Sequence, residues 1–125
     1  MSIADLLNHS GHLWLAANRP DGAPHVTPMW FVYIDGTVWC SITKRSRKAR
    51  LLAADPRVSF SAEGTAEAGG LVGESVATLV EVGERPGVIA AFGTKYGWDA
   101  ADAAPEGERA LVRVEVARWL QVPRE

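Results

Sequence analysis

The chain contains a single cysteine, Cys40, so no disulfide can form within it and zinc sites built from several cysteines are excluded. Long apolar runs are also missing. The longest, from Val26 to Ile34, is about half of the ~20 residues that a helical membrane span requires. Near the N-terminus Asp5 stands where a secretion signal would carry a basic patch ahead of an apolar segment. These shortages predict a cytoplasmic protein with neither membrane span nor leader. There is little net charge: 13 basic against 15 acidic side chains leave −2, which disfavours a dedicated nucleic-acid binder.

What is present fits one soluble domain over residues 1–125, with 47% hydrophobic and 22% charged residues. The charge is uneven. Residues 44–50 read Lys-Arg-Ser-Arg-Lys-Ala-Arg, five basic side chains with no acid, while the rest of the chain holds eight basic and fifteen acidic residues, a net −7.

The patterning predicts a short helix over Ser2–Asn8, capped by Ser2 and stopped by Gly11. A strand follows over His12–Asn18, then a turn at Arg19-Pro20-Asp21-Gly22. Pro24–Ile34 reads as one strand that bends at Pro28, joined to Thr37–Ile42 by the hairpin turn Asp35-Gly36. Thr43–Ala54 reads as a helix capped by Thr43, Arg57–Glu63 as a strand and Gly64–Gly73 as a mobile turn. The remainder gives a strand over Glu74–Val82, a helix over Arg85–Trp98 interrupted at Gly93, a loop over Ala100–Glu108 and a last strand over Leu111–Leu120. Six hairpin-connected strands with peripheral helices predict a mainly β fold, an antiparallel barrel whose closure removes exposed edges.

The Pro24–Ile34 segment is apolar on both faces. Val26, Trp30, Val32 and Ile34 alternate with Met29, Phe31 and Tyr33, so the second face needs a ligand, a helix or another subunit to cover it. Trp30 and Trp39 on this hairpin suit a planar ring or a partner subunit.

The sharpest local conflict is the basic run at a predicted helix start. The unsatisfied N–H groups there already carry partial positive charge, so Lys44, Arg45, Arg47 and Lys48 sit at the end where acids would stabilise. A bound phosphate resolves the conflict, with Ser41, Thr43 and Ser46 as further donors; a solvated basic face is the plainer alternative. Other candidates fall away. Gly73-Glu74-Ser75-Val76-Ala77 approaches a nucleophile elbow, but all three histidines precede it. His9 and His12 are spaced for a metal, yet Gly11 separates them. Gly69-Gly70 lacks the Lys-Ser/Thr of a phosphate loop, and Asp99 with Asp102 reads as a solvated edge.

Asp21-Gly22-Ala23-Pro24-His25-Val26-Thr27-Pro28-Met29-Trp30-Phe31, the Asp35-Gly36 hairpin, Ser46-Arg47-Lys48-Ala49-Arg50 and Asp55-Pro56-Arg57-Val58 resemble the flavin and deazaflavin oxidoreductases of the pyridoxamine-phosphate-oxidase-like split-barrel superfamily. Lys95-Tyr96-Gly97-Trp98 resembles a helix-end motif of its actinobacterial members. The resemblance implies a six-stranded split β-barrel of Greek-key type, homodimeric, with cofactors at the subunit interface. It implies that Arg47 and Lys48 grip the cofactor phosphate with Lys44 and Ser46 nearby. It further implies that His25, Val26, Thr27, Pro28 and Met29 pass along the ring system, and that Ser41, Ile42 and Thr43 meet its polar edge. Leu51-Leu52 departs from the Asn-Leu of many members, and the chain lacks the tail that holds pyridoxal phosphate in the true oxidases. The implied reaction is hydride transfer between a deazaflavin, coenzyme F-420, and a small unsaturated organic substrate. FMN is the alternative cofactor, and non-catalytic flavin, deazaflavin or haem storage the alternative of another class.

Overall fold

The structure is a computed structural model that describes residues 1–103 and 105–125; position 104, inside the predicted Ala100–Glu108 loop, lies outside the described residues. The elements in chain order are α1 (Ile3–His9), β1 (Leu13–Asn18), β2 (Pro24–Met29), β3 (Phe31–Ile34), β4 (Thr37–Thr43), α2 (Arg47–Ala54), β5 (Arg57–Glu63), β6 (Gly70–Glu81), α3 (Pro86–Tyr96), β7 (Arg109–Glu115) and β8 (Arg118–Gln121). A single 3-10 turn, Val82–Glu84, leads into α3.

The fold is mainly β, an antiparallel curled sheet with three helices. Its strands run β2-β1-β5-β6-β7-β4-β3, with β8 added beside β6. The long strand β6 bridges the two halves, pairing β5 through its first part and β7 through its last. The two ends of the path, β2 and β3, are consecutive in the chain with Trp30 alone between them. The sheet therefore curls until its edges approach, yet among the described residues no strand pairing joins those edges. This corrects the closed barrel expected from the hairpin pattern and is consistent with the split barrel that the resemblance implied; Trp30 marks the split.

Eight strands replace the predicted six because two apolar runs each break in the middle. Pro24–Ile34 divides at Trp30 rather than bending at Pro28: β2 pairs with β1, whereas β3 pairs with β4. Pro28 causes no break because β2 is a terminal strand with a free edge, where a missing N–H costs little. Leu111–Leu120 divides likewise, and after Glu115 the backbone turns to bond Gly36 and Glu74 before β8 joins β6.

The turns follow their residue chemistry. Asp35 and Gly36 take φ of 48° and 82°, the left-handed pair that a two-residue hairpin needs. Ser2 caps α1 by accepting from Asp5 N at 3.0 Å. That helix ends at Ser10, whose hydroxyl bonds the Leu6 and Glu63 carbonyls, one residue before the expected Gly11. α3 passes through Gly93 unbroken and stops at Gly97, which adopts φ 64°.

Two apolar clusters hold the fold. Inside the barrel Leu13, Leu15, Phe31, Val38, Cys40, Val112 and Val114 are fully buried together with Leu6 and Leu7 of α1. Outside it, α3 lays Val88 and Phe92 over Val32, Trp39 and Leu111. The second face of the β3–β4 hairpin is thus covered by a helix, so Trp39 and Phe31 do not require another subunit. Burying each of these larger side chains contributes roughly 1.5–3 kcal/mol.

The glycines of the predicted mobile turn are partly strand residues, since β6 already starts at Gly70. A Cβ on Gly73 would stand 2.6 Å from Phe60 Cζ, whereas one on Gly93 would meet nothing within 4 Å. Gly73→Ala is therefore expected to destabilise by about 1–3 kcal/mol through overpacking, and Gly93→Ala to stabilise by about 0.5–1 kcal/mol. Thermal melts of the two variants should move in opposite directions.

Candidate functional site

The basic run divides where the helix actually begins. Because α2 starts at Arg47, Lys44 and Arg45 lie in a turn, and only Arg47 and Lys48 belong to the first helical turn. The cap is Ser46, not Thr43: Ser46 Oγ accepts from Ala49 N at 3.1 Å. Thr43 stays in β4, paired with Arg109 of β7. The N–H groups of Arg47 and Lys48 have no helical partner, as at any helix start.

Lys48 is no surface charge. The residue is 5% exposed, and its Nζ donates to the Leu15 carbonyl at 2.7 Å and the His25 carbonyl at 3.3 Å. Burial lowers its pKa to about 8. His25 stands on β2 beside it, held below the ordinary histidine pKa first by desolvation and then by the charges of Lys48, Arg47 and Arg19. Arg47 itself is exposed and, among the described residues, is matched by no acidic partner.

β2 alternates between exposed and half-buried along its length. His25, Thr27 and Met29 share the half-buried face, with Thr27 Oγ1 3.5 Å from Met29 Sδ, while Val26 and Pro28 point to solvent. The structure therefore brings His25, Arg47 and Lys48 together, with Ser46 at the cap and Thr27 and Met29 further along the strand. The result is a cationic surface with free N–H donors beside a flat, partly apolar strand. Such a surface can take a phosphate at one end and a planar group along the other.

The remaining candidates are engaged elsewhere. Lys44 Nζ lies 2.9 Å from Glu81 and 3.5 Å from Glu108, and the bond to Glu81 is the main reason its pKa rises. Ser41 Oγ donates to the Ala100 carbonyl at 2.8 Å and accepts from Arg109 Nε at 3.0 Å, on the side that faces α3. Ile42 is in the barrel core. A groove of about 420 Å³ does run along the flank of α2, lined by Lys44, Ala49, Arg50, Leu79 and Glu81 among others, but His25, Thr27 and Met29 do not line it.

Two features escaped the sequence reading. Arg19 contributes to the field at His25 although it belongs to the hairpin turn. An aromatic group forms where Trp30 stacks on Tyr96, ring centroids 4.4 Å apart and 4° from parallel, with Trp98 edge-on at 5.4 Å and the Arg109 guanidinium 4.9 Å from Trp98. No periodicity links these positions, which come from the break between β2 and β3, from the end of α3 and the residues just after it, and from β7. The signals were Trp30, read as suited to a planar ring or a partner subunit, and the Lys95-Tyr96-Gly97-Trp98 segment, and nothing in the sequence joined them.

Comparison with known proteins follows this geometry. The family model described as pyridoxamine 5'-phosphate oxidase matches residues 2–123. Among solved structures, the conserved hypothetical protein Rv2991 of Mycobacterium tuberculosis is 35% identical, with 94% of this chain and 79% of that one covered and a TM-score of 0.76. HutZ, the heme storage protein of Vibrio cholerae, is 25% identical over 97% of this chain and 92% of its own, with a TM-score of 0.80. An F-420 reductase is 22% identical over 92% and 93% of the two chains, TM-score 0.76, a likeness of fold. No curated protein matches the chain. No helix among the described residues is long and apolar enough to cross a membrane.

Proposed function

Since the chain belongs to the pyridoxamine 5'-phosphate oxidase family, we propose that it is a homodimeric oxidoreductase that binds a deazaflavin, coenzyme F-420, and passes a hydride between it and a small unsaturated organic substrate. The observation that carries this reading is the exposed Arg47 at the N-terminus of α2, without an acidic partner among the described residues, beside Lys48 of the same helix and His25 at the start of β2. The donor set fits a phosphate: one guanidinium, the first N–H groups of the helix and the Ser46 hydroxyl. When bound, the cofactor supplies the redox chemistry. The chain's own residues would bind and orient it: the Arg47 guanidinium, the Ser46 hydroxyl and the first N–H groups of α2 at the phosphate, with His25, Thr27 and Met29 along the ring system; the Lys48 ammonium, turned inward, would hold the His25 backbone rather than grip the phosphate. Val26 and Pro28 would contribute the β2 backbone beside it, whereas Ser41, Ile42 and Thr43, engaged in β4 with Ala100, the barrel core and β7, would support the fold behind the site.

FMN is the second cofactor reading. Deazaflavin is ranked first because Arg45 and Arg50 continue the cationic surface past one phosphate, although Lys44 is neutralised by its two glutamates. Haem storage is the reading of another class, favoured by the likeness to HutZ over nearly the whole chain. Exposed apolar side chains at Val26, Val76, Leu79, Leu120 and Val122 favour a second subunit.

The test is titration of the protein with F-420, FMN and haemin, followed by absorbance and calorimetry, with light scattering for the mass. The expected result is a dimer that binds F-420 more tightly than FMN and reduces an acceptor in a single turnover. Tighter FMN binding reverses the cofactor ranking. A stable Soret complex without flavin or deazaflavin binding selects storage, and a monomer at micromolar concentration removes the dimer.

A further inference from the structure

The split between β2 and β3 leaves backbone groups that a closed barrel would pair across the seam. At Phe31, the first residue after the break, both groups are bonded by side chains of α3 instead. Phe31 N donates to Tyr96 Oη at 3.0 Å, and Lys95 Nζ donates to the Phe31 carbonyl at 3.1 Å. Tyr96 Oη also lies 2.9 Å from both the Phe31 and the Gly11 carbonyls, and Lys95 Nζ lies 3.3 Å from the Leu7 carbonyl. A phenol has one proton to give and can accept as well. With Lys95 already serving the Phe31 carbonyl, the Tyr96 hydroxyl accepts from Phe31 N and gives its proton to Gly11. The ammonium also rests 3.8 Å from the centroid of the Phe31 ring.

The other end of the same segment is held in a matching way, since Lys48 Nζ bonds the His25 carbonyl. Between these two points β2 has one hydrogen-bonded neighbour, β1. An edge strand with one ladder is the part of a sheet most free to loosen.

We propose that Lys95 and Tyr96 are positioning residues: by bonding the Phe31 backbone at the split they fix the Trp30 break, and so hold β2 in register beside the start of α2, where the cofactor binds. This rests on the reading of β2 as the cofactor strand. Among the described residues neither Lys95 nor Tyr96 hydrogen-bonds Arg47 or a β2 side chain; the pair acts through the backbone. Tyr96 adds a second restraint by stacking on Trp30.

The test compares wild type with Tyr96→Phe, which keeps the stacked ring and loses the hydroxyl, and with Lys95→Met, which keeps the length and loses the donors. Hydrogen exchange should quicken about tenfold in the segment His25–Phe31 and stay level in β5 and β6. Cofactor dissociation constants should rise about 5- to 20-fold, with Arg47 untouched. Should Lys95→Met fail to fold, Tyr96→Phe decides alone. Exchange that rises evenly through the chain, or that does not rise in β2, overturns the proposal. Wild-type protein that binds neither F-420 nor FMN overturns the functional reading and the positioning role with it. Wild-type protein that binds, beside variants that bind equally well, overturns the positioning role alone.

Discussion

Lys48→Met is expected to be the most destabilising single change among the basic residues, lowering the melting temperature by about 5–10 °C at pH 7.5. The side chain keeps its length, so packing is largely preserved. What is lost are the bonds from Nζ to the Leu15 and His25 carbonyls, which then remain buried without that donor. Leaving buried acceptors unsatisfied costs about 1–3 kcal/mol each, offset in part because the ammonium no longer has to be desolvated. A net loss near 2 kcal/mol corresponds to the stated shift for a domain of this size.

The same lysine sets a pH dependence. Its pKa falls from the ordinary 10.5 to about 8 on folding, so between those values the unfolded chain holds a proton that the folded chain does not. Stability contributed by this group therefore rises with pH from about 8 toward 10.5, by about 1 kcal/mol between pH 7.5 and 9. Lys95, lowered to about 8 by burial, acts in the same direction. The Cys40 thiol, pushed up to about 12 by burial, opposes them from about pH 9 upward, so the window to measure is pH 7.5–9. Denaturant melts should show the gap between wild type and Lys48→Met widening across that window; a constant gap would show that Lys48 does not titrate there.

How much of this was legible in the sequence differs from element to element. Turn chemistry was readable because it is local: Asp35-Gly36 needs left-handed backbone wherever it stands, and Ser2 caps whichever helix follows. The break at Trp30 was not, because nothing in an unbroken apolar run records that its first half pairs with β1 and its second with β4. Pro28 was the visible irregularity, but an edge strand tolerates it. The helix start slipped from Thr43 to Arg47 for a similar reason. Thr43 is a good cap, yet β7 claims its backbone, and Ser46 caps instead.

The candidate site shows the same division. A run of charges is visible in a sequence, but the direction in which each side chain leaves the helix is not. Arg47 and Lys48 are neighbours in sequence, and one is exposed while the other points into the protein toward the Leu15 and His25 carbonyls. Lys44 belongs to the same run and is neutralised by Glu81 and Glu108, distant in sequence. Cover for Trp39 was expected from a planar ring or a partner subunit. It comes instead from α3 of the same chain, and nothing local in Pro86–Tyr96 records which strand that helix meets.

Arg47→Ala is expected to separate binding from folding. The guanidinium is exposed, bonds no acid among the described residues and sits at the positive end of α2. Its removal leaves no buried group unpaired and relieves a small helix-end repulsion, so the melting temperature of the cofactor-free protein should stay level or rise slightly. Binding should suffer, because a charge-assisted contact to phosphate contributes about 1.5–3 kcal/mol, equivalent to roughly a ten- to hundredfold rise in the dissociation constant. Arg47→Lys should recover only part of this, since an ammonium lacks the two-pronged fit of a guanidinium. Titrations across a salt series provide the check: the wild type should lose affinity with added salt more steeply than the alanine variant, as expected when one exposed cation is withdrawn. In the Lys48→Met protein weaker binding should come with lost stability, whereas in Arg47→Ala it should come without. Equal affinity in wild type and Arg47→Ala at every salt concentration would place the anion contact elsewhere and leave Arg47 a solvated charge on the first turn of α2.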